Sequence, residues 1–270
     1  MTSPIAEAKI VDILFGIIQA LSKSVEMMEQ SIPKPVYLDA GTKRRRWRFT
    51  EGSPQILQVL MCARIASALR ACAVLLATSQ VIEMEVLFRT VDDFLADITF
   101  ADEIIEKGIE NATVAQSEWM KSYFVDDNRT TEEMLADSVD PTKRTFNLQR
   151  RQKVQASEAR AFGGDDPHRV KKMVKTIDDA WSGAVHGDYT SVMTMYGGDT
   201  LGTAHFQTEG MPYRFAGHRH FLGMLVHNAL NQFSKVAHNL GLNEMAEHLL
   251  EVRREFEESP AYTQLDGHAF

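Results

Sequence analysis

Two short pairings in the sequence carry residue types suited to polar chemistry. Arg89 and Asp93 stand one helical turn apart inside an otherwise apolar run of Val86, Leu87, Phe88, Val91, Phe94 and Leu95. A guanidinium held among apolar side chains needs a carboxylate beside it or an anion to bind. Ser182 and His186 are also one turn apart, with Lys175 and Asp179 nearby. They fall opposite a stripe formed by Val170, Met173, Val174, Ile177, Trp181 and Val185. His186 closes that segment before Gly187, where the helix dipole favours a charged imidazole. It is either a C-terminal capping residue or a group that gives and takes protons. No nucleophile elbow precedes Ser182, so a serine–histidine nucleophile is not indicated.

Basic residues form two clusters. Lys43, Arg44, Arg45, Arg46 and Arg48 surround Trp47, a combination suited to phosphate contact with base stacking, or simply to a solvated connector. Residues 141–175, which include Arg150, Arg151, Lys171 and Lys172, hold ten Lys/Arg against three Asp/Glu. That local excess lies in a chain of formal charge -8, so total charge hides a positive region. The region suits nucleic acid, or an acidic face of protein.

Histidines gather towards the C-terminus at 205, 218, 220, 227, 238 and 248. On one helix His220, His227 and His238 share a face to within about 20°. Their axial separations are about 10.5 and 16 Å, too far for one ion with ligands at about 2 Å. That face is expected to meet solvent or a second interface, because Leu222, Leu225, Ala229, Phe233, Val236 and Leu240 point nearly opposite. Glu244 and His248 are one turn apart, but two ligands do not make a site. Paired Glu-x-x-His motifs are missing, as are a P-loop and a Gly-rich dinucleotide turn. No metal and no nucleotide cofactor is expected.

The elements that must position these groups are helical. Ser3 as N-cap and Pro4 at the first helical position open a helix whose stripe runs from Ile10 to Met28, ended by Pro33 and Pro35. Between Gly52 and Gly108 the only Gly or Pro is Pro54. One helix of that length would reach about 80 Å, too long for a compact domain. A turn near Thr78 to Gln80 therefore divides it into helices over about 54–77 and 80–107. Further helices are expected over 111–124, from Thr130 (a capping box with Glu133), over 146–162, over 167–186, over about 216–241 and over 243–258. Residues 187–212 hold five glycines and read as a long loop with room for a short hairpin. Strand-period alternation does not persist anywhere. The fold expected is an all-α bundle, with a long Gly-rich loop between the last two major helices. Its organisation is an N-terminal amphipathic helix (1–35), a basic connector (36–53), a bundle domain (54–258) and a tail (259–270).

Composition agrees with a packed chain: of 270 residues, 44% are hydrophobic and 24% charged. Cys62 and Cys72, ten residues apart on one helix, cannot pair, which fits a reducing compartment. The run Ile10–Leu21 lacks a basic region before it and is interrupted by Asp12, so it does not read as a signal peptide. No uncharged apolar run of about 18 residues is long enough to span a bilayer. A soluble, cytoplasmic protein is expected.

Arg89-x-x-x-Asp93, followed by Trp181-Ser182-x-x-Val185-His186-Gly187, resembles bacterial helical families grouped with HEPN domains, over residues 55–240. The resemblance implies a helical bundle, a homodimer, and a polar cleft lined by Arg89, Asp93, Ser182 and His186. Many such proteins are metal-independent endoribonucleases of toxin and defence systems, while others only bind RNA or a protein partner. The nuclease subgroup carries an Arg, four to six residues, then His. Here Arg214 and His220 have that spacing, and His186 has no Arg at that distance before it. The leading expectation is therefore an RNA- or partner-binding module. The alternatives are a ribonuclease with His186 as acid/base and Arg89 on the developing phosphorane charge, and a scaffold that self-associates through its histidine face.

Overall fold

The computed structural model describes residues 4–38, 46–124, 196–197, 205–206 and 215–263. The architecture is all-α. Helix α1 spans Pro4–Gln30, α2 Pro54–Ala77, α3 Val81–Lys107, α4 Val114–Phe124, α5 Phe215–Asn239 and α6 Asn243–Glu258, with a last turn α7 over Pro260–Thr263. A short 3₁₀ turn, Ile109–Asn111, links α3 to α4. Two antiparallel ribbons complete the described chain: β1 (Val36–Leu38) with β2 (Arg46–Arg48), and β3 (Tyr196–Gly197) with β4 (His205–Phe206).

Helix α2 is the centre of the bundle, against α1, α3, α4 and α5. Ser53 caps its N-terminus, accepting from the Ile56 amide at 3.2 Å, and Pro54 takes the first position, where its missing N–H costs nothing. Leu57, Cys62, Ile65, Leu69, Cys72 and Leu76 are inaccessible to water. Among the described residues α2 is the one helix long and apolar enough to cross a membrane, but it carries Arg64 and Arg70 and is mostly buried inside the bundle. Its apolarity reflects neighbours on several sides.

Helices α2 and α3 are separated where the sequence places a turn. The Ser79 amide donates to Leu76 O and the Gln80 amide to Leu75 O, with Ser79 in the left-handed region at φ 59°. The same arrangement ends α5, where Gly241 (φ 74°) donates to His238 O and Leu242 to Ala237 O. Helix α4 opens on a reciprocal capping box. Thr113 N donates to Gln116 Oε1 at 3.0 Å, and Gln116 N donates to Thr113 Oγ1 at 3.2 Å.

The expected stripes are the buried ones. Ile10, Leu14, Ile17, Ile18, Leu21 and Met28 of α1 lie in the core with Leu222, Leu225, Ala229, Phe233 and Val236 of α5. The stretch 36–53 is more than a connector, since it holds the β1–β2 ribbon in the register Val36–Arg48, Tyr37–Trp47 and Leu38–Arg46. Strands of three residues are too short for alternation to register as a pattern. The helices expected over 146–162 and 167–186, and the one opening at Thr130, lie outside the described residues.

Candidate functional site

Arg89 lies on α3 in a row with Glu85 one turn before and Asp93 one turn after. Its Nε is 3.8 Å from Asp93 Oδ2. The guanidinium side chain is 12% exposed, whereas the Asp93 side chain is 58% exposed, so this pair is a loose contact with a solvated carboxylate. The first turn of α5 packs over the same part of α3. There His218 Nε2 meets Glu85 Oε1 at 2.9 Å, with the imidazole stacked 6.1 Å from the Phe88 ring. Phe221, three residues further along α5 on the same face, stands 6.3 Å from Phe88. Arg219, next in the chain, is 3% exposed. The seam between α3 and α5 thus holds an imidazole–carboxylate pair beside an aromatic ring and largely out of water, where charged groups interact more strongly than in bulk solvent.

Of the residues expected to converge on Arg89, Ser182 and His186 lie outside the described residues. The imidazole that the structure places on this part of α3 is His218. Its partner Glu85 extends the row of Arg89 and Asp93 by one turn, a spacing visible in the sequence. The meeting with His218, 133 residues away, is not.

The second polar feature is the β1–β2 ribbon. Trp47 is 64% exposed and Tyr37 47%, and their rings meet edge-on with centroids 5.1 Å apart and planes at 62°. The other described tryptophan, Trp119, is buried between Phe100 and Tyr123. Arg46 and Arg48 flank Trp47 along β2, and Phe49 follows, packed against the core, so the strand is anchored to the bundle. Lys43, Arg44 and Arg45 lie outside the described residues, as do Arg150, Arg151, Lys171 and Lys172.

The histidine face of α5 is used within the chain. His227 Nε2 is 2.6 Å from Glu257 Oε1 of α6, and its ring packs on Tyr262 of α7 at 5.2 Å. Arg253 joins the cluster at 3.3 Å from Glu257 and 2.9 Å from Asn231 Oδ1. His238 Nδ1 reaches Asn243 Oδ1 at 3.1 Å. A separate polar network ties α2, α3 and α5 together. Asn239 Nδ2 donates to Asp102 at 2.7 Å and to Gln58 Oε1 at 3.3 Å, while Gln232 Nε2 donates to Thr99 Oγ1 at 3.2 Å. Tyr123 of α4 donates to Asp97, which is buried on α3. Buried polar networks of this kind fix helix register, although Gln232 Oε1 is buried without a hydrogen-bond partner among the described residues. Among the described residues no three His, Cys, Asp or Glu side chains gather as metal ligands.

No protein-family model matches the chain, and no curated protein or solved structure is significantly similar to it.

Proposed function

We propose that this chain is a HEPN-like helical module that binds RNA, and that the β1–β2 ribbon is its point of contact. The observation supporting this is Trp47, 64% exposed on a strand that it shares with Arg46 and Arg48. A large aromatic side chain in water, on a strand that also carries two arginines in its sequence, suits a polyanion with π-faces. An overall charge of -8 makes such a concentration of arginine meaningful, because the net charge of the whole molecule opposes a polyanion. The test is filter binding of mixed-sequence RNA at several salt concentrations. Replacing Arg46 and Arg48 by Glu is expected to weaken binding and to lower the salt slope by about one per lost phosphate contact. Unchanged affinity and slope would remove the ribbon from the account.

A second reading, metal-independent RNA cleavage, is favoured by the low exposure of the Arg89 side chain, one turn along α3 from the His218–Glu85 pair. A guanidinium can stabilise phosphorane charge and an imidazole can move the 2′-hydroxyl proton. Incubation with RNA in EDTA decides it. Cleavage lost in Arg89→Ala, and in His186→Ala or His218→Ala, supports an enzyme, and intact RNA with wild-type protein removes this reading.

A further inference from the structure

We infer, independently of RNA binding, that the outer face of α2 docks a second copy of this chain, antiparallel about a two-fold axis through Ser67. Helix α2 is apolar enough to cross a membrane, yet little more than half of its apolar stretch is buried. A helix with one face in water normally carries polar residues there. On α2 the outward line is instead Leu60, Ala63, Ser67, Ala71 and Val74, with Leu60 37% and Val74 50% exposed. Arg64 and Arg70 stand on either edge of that line and are the only charged residues of the helix. Such a composition belongs to a helix enclosed on all sides, and this side stands in water.

The order of the residues along this face points to its occupant. Counted from Ser67, an arginine stands three positions away in both directions, an alanine four and a branched aliphatic side chain seven. At about 100° per residue all six lie within about 60° of Ser67. The face therefore reads the same from either end, as an isologous contact requires, because a two-fold axis sets each residue against its counterpart beyond the centre. With Ser67 on the axis, Leu60 comes opposite the partner's Val74, and Ala63 opposite the partner's Ala71. Small side chains at the centre let the helices approach to about 8 Å, the lower end of helix–helix distances. Arg64 and Arg70 fall on opposite edges, so each stem runs over a partner alanine while its guanidinium reaches the polar rim. On the α3 side the Arg64 guanidinium already lies over the Phe94 ring, 5.7 Å from its centre. Across α2 and that flank of α3 the face measures about 25 Å by 20 Å. That is about 1,000 Å² over both copies, which suits a reversible dimer.

The experiment measures the mass of the full chain by sedimentation equilibrium from about 1 μM to about 1 mM, a range that covers weak reversible interfaces. Wild type is expected to pass from one chain mass towards two. Ser67→Glu sets two carboxylates against each other on the axis and should weaken the dimer at least about tenfold. Ser67 is exposed and Glu is the better helix former, so this variant should keep the wild-type helical circular dichroism. Disulfide trapping tests the register. Ser67→Cys should cross-link to itself under mild oxidation. Leu60→Cys should not, because its two copies stand about 21 Å apart along the helices, but it should cross-link when mixed with Val74→Cys. The native Cys62 and Cys72 are buried and stay out of the reaction. A monomer throughout the range would overturn the inference, and capture of that monomer by liposomes would assign the face to lipid instead. A dimer that is unmoved by Ser67→Glu and not trapped through Ser67→Cys would also overturn it, since the copies would then meet elsewhere.

Discussion

His218 and Glu85 form one of the polar contacts that join α5 to α3. Their contact of 2.9 Å lies mostly out of water, with side-chain exposures of 11% and 22%. Removing one partner from such a site is expected to cost about 1–3 kcal/mol, more than an exposed pair could contribute. We therefore expect His218→Ala and Glu85→Ala each to lower the free energy of unfolding in urea by that amount. The double variant should lose less than the sum, with a coupling of about 0.5–3 kcal/mol. Additive losses would show that the two side chains do not act on each other. The Arg89–Asp93 contact is the contrast, because it is 3.8 Å long and its carboxylate is largely solvated. Arg89 and Asp93 could be paired from the sequence alone, since four residues on a helix place them side by side. His218 could not be assigned to Glu85, because periodicity identifies a face of each helix without saying which faces meet.

The helix ends supply the clearest comparison between two versions of one device. Both the α2–α3 and α5–α6 turns close with a residue in the left-handed region, Ser79 in the first and Gly241 in the second. A side chain there crowds the following carbonyl, at about 1–2 kcal/mol, and glycine avoids this. Ser79→Gly is accordingly expected to stabilise the protein by about 0.5–1 kcal/mol, less than the strain relieved because glycine also loosens the unfolded chain. Gly241→Ala should destabilise by about 1 kcal/mol, and purely through the backbone, since a Cβ at that position would meet nothing within 4 Å. Thermal or urea unfolding of the two variants measures both signs; shifts in the same direction would contradict the argument. The turn at Thr78–Gln80 was legible because an unbroken helix would have outgrown the molecule, even though no glycine marks it. The start of α4 was expected three residues early, although Thr113 and Gln116 carry the capping pattern in plain sequence. The β1–β2 ribbon was not legible. Its pairing depends on how residues 36–38 and 46–48 come together, and three residues per strand leave no period to count.

At the scale of the molecule, α2 is the element on which the other helices close, and its two cysteines report on that closure. Helix α7 packs against α1, so the two ends of the described chain meet around the same core. Cys62 and Cys72 have no exposed surface. Burial disfavours the thiolate, pushing the Cys62 thiol far up and the Cys72 thiol from its ordinary 9.0 to about 12. A group whose pKa is raised by folding contributes its stability fully below the unfolded value and loses it as pH climbs towards the folded one. The thiols therefore add no pH dependence below about pH 8 and become destabilising above pH 9, as the unfolded chain gains two thiolates that the fold cannot accept. Replacing both by Ala should make the fall of the thermal midpoint between about pH 9 and 11 shallower, whatever their effect on stability at neutral pH. The same burial sets thiol reactivity. At pH 8, where a disulfide reagent attacks exposed cysteines readily, native protein should be labelled at least about 10³-fold more slowly than urea-unfolded protein. Cys62 and Cys72 lie almost three turns apart on one helix with different neighbours, so local fraying would expose one before the other. Mass spectrometry of partly labelled protein should find doubly modified and unmodified chains with few singly modified ones, provided the reagent outpaces reclosing. A large singly modified population would mean that α2 opens in parts, and that the bundle is not one cooperative unit.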